Sequence, residues 1–265
     1  MVSSQWRIGL ELQNNGLRAV GLQYRRQGWR LCRWWHLPFS APCSDYASPG
    51  FARQAVAVLS HWRKTLPYRY QLRVSIPALR TLQQQVVVPD RPLGEAQLQR
   101  YIEQAASAQL ALAGEPLAWD YPEPATGPLA VTGVRQSDIQ LLSGVLRGAW
   151  LVARSITPDA SALLSFARQG AASHQWLVHR EPDYWLWAGD GAWGSDPGQD
   201  PGWFTAWCQR RGVDPHRVAF SSSLPEDAGQ ATFSPWSAIP GLSPPLPACA
   251  GLFTVATGLA LGSLP

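Results

Sequence analysis

The sequence predicts a mixed α/β protein, and three observations carry that prediction. Short apolar or alternating runs recur at Arg7–Leu12, Leu17–Gln23, Trp29–Leu37 and Leu72–Ile76, as strands do. Phe51–Trp62 sets Ala55, Val56, Leu59 and Trp62 on one face at helical spacing. Strand and helix signals then keep alternating to the end of the chain, which points to sheets covered by helices.

A chain of 265 residues with 46% hydrophobic and 15% charged content can bury a proper core, as one large domain or two lobes. The formal charge of +4 is mild, and the basic residues are Arg apart from Lys64. They are scattered along the sequence, whereas a nucleic-acid footprint is a concentrated patch. Cys32, Cys43, Cys208 and Cys249 form no CxxC pair, and five His residues stand far apart, so no zinc site is indicated. MVSSQWRIGLELQ lacks an apolar signal core, and the run Cys249–Leu261 falls short of the ~20 residues that span a bilayer. The expectation is a cytosolic protein.

The two opening strands are joined by Gln13, Asn14, Asn15 and Gly16, residues that tolerate the positive φ of a tight hairpin. Trp29–Leu37 reads as an edge strand ended by Pro38. Its Arg30, Arg33, Trp34 and Trp35 are read as cover for a neighbouring helix rather than as a membrane-seating cluster. Three strands, the helix Phe51–Trp62 and the strand Leu72–Ile76 make the opening of a ribonuclease-H-like half. Further elements are predicted as a helix at Gly94–Leu112, a strand at Leu129–Val134, a helix at Ser137–Arg147 and a strand at Trp150–Ile156. Thr157 is placed as an N-cap with Pro158 at the first helical position. Strands at Gln175–Val178, Tyr184–Ala188, Ala192–Gly194 and Arg217–Phe220, with a helix at Trp203–Arg211, open a second lobe.

Gly189-Asp190-Gly191-Ala192-Trp193-Gly194 matches GxGxxG by letter, but no helix opens behind it, and a hairpin turn explains it better. No Gly-x-Ser-x-Gly or Walker lysine occurs, and no His adjoins a Ser or Cys in a hydrolase motif. No catalytic residue is assigned.

A family resemblance rests on motifs spread over nearly the whole chain. They are Arg33-Trp34-Trp35-His36-Leu37-Pro38, Pro77-Ala78-Leu79-Arg80-Thr81-Leu82-Gln83, Ile156-Thr157-Pro158-Asp159-Ala160-Ser161-Ala162-Leu163 and the Gly-Leu-Ala-Leu-Gly ending. With them the chain resembles the pilus-assembly protein PilM and its competence relatives, in particular their short HofM-like branch. The resemblance implies an actin-like ATPase fold of two ribonuclease-H-like lobes, with the insert subdomain shared by PilM and FtsA. The expected division is 1–78 first lobe, 79–127 insert, 128–157 first lobe continued, 158–248 a reduced second lobe and 249–265 a returning C-terminal helix.

In that fold the first hairpin carries a phosphate loop of the form Gly-Ile-Asp-Ile-Gly-Ser-x-x-Val-Lys, which maps onto Gly9 to Arg18. Glu11 then stands for the metal-binding Asp, Gln13 for the phosphate-approaching Gly and Arg18 for the Lys, with Asn14 and Asn15 in the turn. His179-Arg180 replaces the second loop, and Ser221, Ser222 and Ser223 replace a Gly-rich adenosine turn. Glycine is needed where a side chain would block a phosphate, so the expectation is a degenerate site without ATP turnover and without a bound metal.

The implied function is that of an adaptor in a type IV pilus-like DNA-uptake apparatus, not an enzyme. The implied partner is a PilN-like single-pass inner-membrane protein whose cytoplasmic tail docks as an extended peptide, holding the chain peripherally at the membrane. The matching positions are Pro77, Leu79, Arg80, Leu82 and Gln83, with Leu98 and Ile102 on the insert helix, and Arg80 is cast as neutralising an acid on the tail. A working ATP and Mg²⁺ switch and direct DNA binding stand as the alternatives, and self-association is left open.

Overall fold

The computed structural model describes residues 5–89, 94–108, 116–121, 128–168, 175–200 and 202–262. Two compact units emerge, one of Met1–Leu79 with Val145–Pro265 and one of Arg80–Gly144.

In the first unit, β1 (Trp6–Gln13) and β2 (Gly16–Arg25) form the expected hairpin, with the turn reduced to Asn14 and Asn15. The edge strand β3 (Gly28–Pro38) follows, then helix α1 (Pro49–Arg63) and strand β4 (Tyr70–Ile76). Ser48 caps α1 by accepting the Phe51 N–H at 3.1 Å, and Pro49 opens the first turn. Trp35 of β3 meets Trp62 of α1 edge to face at 5.6 Å, while Trp34 on the opposite face meets Phe253 at 5.4 Å. Both rings of the Arg30–Trp35 cluster therefore pack inward, as expected of an edge strand covering its neighbours.

The second unit is the insert: β5 (Thr81–Val87), α2 (Glu95–Ala108), β6 (Leu117–Asp120), β7 (Pro128–Arg135) and most of α3 (Gln136–Gly148). Its antiparallel sheet runs β5-β7-β6, and Ile102 and Ala106 of α2 join Val86, Val88, Leu129 and Val131 in one core. This corrects the expected division, because residues 128–144 go with the insert and not with the first lobe. Pairing explains it: β7 takes its hydrogen bonds from β5 and β6. The expected end of the α2 helix, residues 109–112, lies outside the described residues.

Strand β8 (Ala153–Pro158) completes the first sheet in the order β3-β2-β1-β4-β8. It starts three residues later than expected, because Trp150 and Leu151 terminate α3 instead. Thr157 and Pro158 finish the strand, and it is Pro158, not Thr157, that stands at the N-cap of the next helix, with no side-chain hydrogen bond to it. Asp159 takes over: its Oδ1 accepts the N–H groups of Ala160 at 2.7 Å and Ala78 at 2.8 Å. The short helices α4 (Asp159–Ala162) and α5 (Leu164–Arg168) lead on from it.

Strands β9 (Trp176–Arg180), β10 (Tyr184–Gly189) and β11 (Ala192–Pro197), helix α6 (Trp203–Arg211) and strand β12 (Val218–Ser222) build a second sheet, ordered β11-β10-β9-β12. The Gly-x-Gly-x-x-Gly stretch is the β10–β11 hairpin, with Asp190 and Gly191 at positive φ in its turn. A 3₁₀ turn at Gly251–Phe253 leads into α7 (Thr254–Leu261), which is buried along its whole length. A Cβ at Gly9 would overlap the Ala256 carbonyl, and one at Gly258 would overlap that of Ala162. Two glycines thus let α7 lie against β1 on one side and α4 on the other. Gly258 thus opens close contact with a helix.

The main core lies between the two sheets of the first unit, where Leu177, Leu186 and Ala219 meet Ala160, Phe166, Phe253, Leu259 and Val20. A second core lies on the far face of the second sheet, where Trp203 and Trp207 of α6 cover Trp176 and Trp185. Strand alternation sorts β9 between the two. Trp176 and Val178 face α6, whereas Leu177 and His179 face the first sheet.

Candidate functional site

The place expected to hold phosphates is filled by a buried polar cluster of the chain's own side chains. With a two-residue turn, the hairpin register sets Glu11 directly opposite Arg18. Arg18 Nη1 reaches past Glu11, at 3.8 Å, and donates to Glu181 Oε1 at 2.7 Å. Glu181 follows β9, two residues after His179, so both point to the same face.

Glu181 is fully engaged. Its Oε1 also receives His179 Nε2 at 3.0 Å, and its Oε2 accepts the Ser223 hydroxyl at 2.8 Å. His179 Nδ1 lies 3.1 Å from Ser221 Oγ, which lies 2.8 Å from Thr254 Oγ1. On the hairpin side, Gln13 Nε2 donates to Glu11 Oε1 at 2.6 Å and to the Tyr184 hydroxyl at 2.8 Å. Arg18, Glu181, His179, Ser221 and Ser223 are all buried.

Burial favours neutral forms and ion pairs in such a cluster. It pushes Glu11 up to about 8, with Arg18 opposing and Glu181 reinforcing the rise. Glu11 Oε2 finds no hydrogen-bond partner among the described residues, which suits a protonated carboxyl better than a carboxylate. Burial likewise carries Asp159 to about 7 against the two N–H groups it accepts. Burial also works to raise Glu181, but Arg18 and His179 override it and hold the carboxyl down at about 2. Arg18 stays charged, because Glu181 and Glu11 outweigh the effect of its burial. The cluster is thus centred on the ion pair of Arg18 with Glu181, with hydrogen-bonding groups arranged around it.

Ser221, His179 and Glu181 are linked in the order of a nucleophile, base and acid. Ser221 and His179 have no exposed surface, and the Ser221 hydroxyl is already held by Thr254, so no substrate reaches it in this conformation.

A nucleotide's phosphates need free backbone N–H groups and positive charge. Here the Leu12 N–H lies 3.3 Å from Ser75 Oγ, the Ser223 N–H is bonded to the Arg180 carbonyl and the Leu224 N–H to Ser222 Oγ. Arg18, the cation at the centre, is paired with Glu181. This donor set does not fit phosphate. Among the described residues, no three His, Cys, Asp or Glu side chains converge as a metal-binding group.

Of the residues expected at the nucleotide position, Glu11, Gln13, Arg18, Ser221 and Ser223 come together. Asn14 and Asn15 do not: they are exposed at the hairpin tip, and their carbonyls accept the N–H groups of Cys43 and Phe39. Ser222 turns away to bond Asp227 Oδ2 at 2.7 Å. Sequence reading missed Glu181, Tyr184, Thr254 and Asp159, and it took His179 only as a lost loop. The available signal was the pair His179 and Glu181, two polar residues in alternation at the end of an apolar strand.

The expected docking residues fare unevenly. Leu79 is 45% exposed and Gln83 is exposed, with Pro77, Leu82 and Leu98 half-buried. Ile102 is a correction, because it lies wholly inside the insert core. Arg80 is another: both arms of its guanidinium grip Asp138, at 2.7 and 3.1 Å, so its charge is met within the insert.

No protein-family model matches the chain. In structure it is similar to the PilM-PilN type IV pilus biogenesis complex, with a TM-score of 0.68 at 15% identity, covering 96% of this chain and 97% of that one. It is also similar to the cytoplasmic domain of EpsL, an inner membrane component of the type II secretion system of Vibrio cholerae, with a TM-score of 0.62 at 12% identity over 98% and 97% of the two chains. These likenesses establish the actin-like ATPase fold. In sequence, it is 31% identical over 258 residues to the DNA utilization protein HofM of Escherichia coli K12, covering 97% of each chain. A likeness of that depth over nearly the full length means that the chain belongs to the HofM family.

Proposed function

We propose that the chain is a nucleotide-independent adaptor, a cytoplasmic component of a type IV pilus-like apparatus that serves DNA uptake. The observation that carries this reading is the buried cluster around Glu181. Its side chains bond one another, Glu11 Oε2 excepted, at the hairpin where the resemblance led us to expect a phosphate loop. Membership of the HofM family and the fold shared with PilM and EpsL supply the setting.

The partner proposed is a PilN-like single-pass inner-membrane protein that presents its cytoplasmic tail as an extended peptide. The anchorage of that partner would hold the chain at the membrane; no helix among the described residues is long and apolar enough to cross one. Extended peptides are captured by backbone edges and a few apolar side chains. Leu82 and Gln83 of β5 are the side chains assigned to the tail.

Titration with a peptide copying that tail, with and without Mg-ATP and followed by Trp fluorescence, tests the proposal. Saturable binding of equal strength in both conditions is the expected result. Binding that requires ATP would replace the adaptor with a switch, and no binding in either would remove the partner.

A further inference from the structure

The first sheet ends in a basic surface from which aromatic and aliphatic side chains project. Strands β1, β4 and β8 run parallel, so their first residues lie at one end of the sheet. There Tyr68 stands just before β4 at 97% exposure, and Trp150 and Val152 stand just before β8 at 86% and 83%. Helix α1 ends at the same edge of the molecule, since only residues 64–69 separate it from β4. Val56 of α1 also packs beneath Gly148 at the end of α3.

Trp150 is unexplained by the needs of the fold. The Leu151 N–H bonds the Leu146 carbonyl and the Trp150 N–H bonds the Arg147 carbonyl, the paired bonds that close a helix with a left-handed residue. Trp150 occupies that left-handed position at φ 57, where glycine is the residue that fits without strain. The fold thus accepts both backbone strain and an exposed indole at one position. Leu151 beside it is buried and anchors the turn, which fixes its two neighbours outward.

Charge is sorted in the same way. The stretches 61–73 and 145–154 hold six of the chain's 22 Lys and Arg residues and none of its 18 Asp and Glu residues. Lys64, Arg69, Arg147 and Arg154 are exposed. The field is felt inside as well. Burial and then the charge of Arg154 lower the pKa of Arg73, and burial and then Arg73 lower that of Arg7.

We propose that this end of the first sheet seats directly on the surface of an anionic lipid bilayer, with Tyr68, Trp150 and Val152 dipping into the headgroup layer. Trp and Tyr favour that layer because one part of the ring is apolar and the other hydrogen-bonds. Surrounding cations add attraction, about fivefold in affinity for each Lys or Arg held near the surface. A bilayer interface accepts protruding side chains without a matching pocket. A nucleic acid would use the cations and could stack on Trp150 and Tyr68, but it has no use for Val152. This contact involves no partner protein, so it stands or falls separately from the tail-binding assignment.

The test is sedimentation of the full chain with vesicles of phosphatidylcholine alone or mixed with phosphatidylglycerol. The expected result is binding to the mixed vesicles that weakens with salt, and little to phosphatidylcholine. The double variant Trp150→Gly/Val152→Ser is expected to lose at least tenfold in binding, with an unchanged or raised melting temperature because the strain at position 150 is relieved. Arg69→Glu/Arg147→Glu is expected to lose at least as much. Failure of the wild type to sediment with mixed vesicles would overturn the proposal. So would equal binding by a folded Trp150→Gly/Val152→Ser variant, or tight duplex DNA binding abolished by both variants in place of vesicle binding.

Discussion

The second sheet carries two faces built from neighbouring residues of the same strands, and they hold together by different physics. The inner face presents His179, with Glu181 just beyond the strand, to the hairpin, where they join a closed hydrogen-bonded cluster around one ion pair. The outer face presents Trp176, Trp185 and Trp187 to α6, with Trp185 stacked on Trp203 at 4.6 Å and Arg211 over the Trp187 ring at 3.7 Å. The charged contacts of the inner cluster depend on protonation and on the presence of their partners, whereas the outer seam depends on shape and area. The difference bears on the proposed nucleotide independence. At the hairpin where a phosphate loop was expected, the polar residues bind one another.

The comparison breaks most sharply at Arg18. Arg18→Met leaves Glu181 buried without its counter-ion, and a loss of about 3–5 kcal/mol is expected in urea unfolding at neutral pH. On the outer face, Trp207→Ala removes a large buried ring and is expected to cost about 3 kcal/mol. That loss should be the same at pH 5 and pH 8, because no titrating group is involved; a marked pH dependence would join the two faces into one system.

The inner face should also give the wild type a distinctive stability profile. Glu11 and Asp159 are held above ordinary carboxylate values, at about 8 and about 7, so the folded state holds protons that the unfolded chain releases. Their contribution is full below about pH 4 and falls as pH rises through 7 to 8. Glu181, held at about 2, acts in the opposite sense, and its contribution is lost as pH falls from about 4.5 toward 2. The contribution of these three groups is therefore expected to peak at about pH 4 and to decline toward pH 8. Glu11→Gln should flatten that decline, and a variant with an unchanged slope would show that Glu11 is not the group responsible. The smallest effect belongs to Arg211→Ala, about 0.5–1 kcal/mol at any pH, from the cation held over three indoles.

How much of this was legible in the sequence differs by region. The hairpin could be read almost completely. Asn-Asn-Gly sets a tight turn, and the register that follows puts Glu11 opposite Arg18 without any knowledge of the rest of the chain. Glu181 could not be paired in that way, because it reaches Arg18 from 163 residues away and only the packing of one sheet on the other decides the contact. The insert shows the same limit. Ile102 sits on a visible apolar face of α2, but periodicity does not say whether that face meets a partner or, as it does, the insert's own sheet. Trp150 was read as strand because its neighbours are apolar; the left-handed turn that ends α3 overrode that pattern. The scattered arginines hid a surface for the same reason, since parallel strands bring distant segments to one end.

The account rests on the cluster around Glu181 having taken the nucleotide's place, and thermal unfolding with and without millimolar Mg-ATP tests this most directly. A ligand present at one hundred times its dissociation constant stabilises the folded state by about 2.7 kcal/mol, a shift of several degrees that is easily seen. An unchanged melting temperature for the wild type is the predicted result. A saturable rise with Mg-ATP would contradict it, and would mean that the cluster opens to admit the nucleotide.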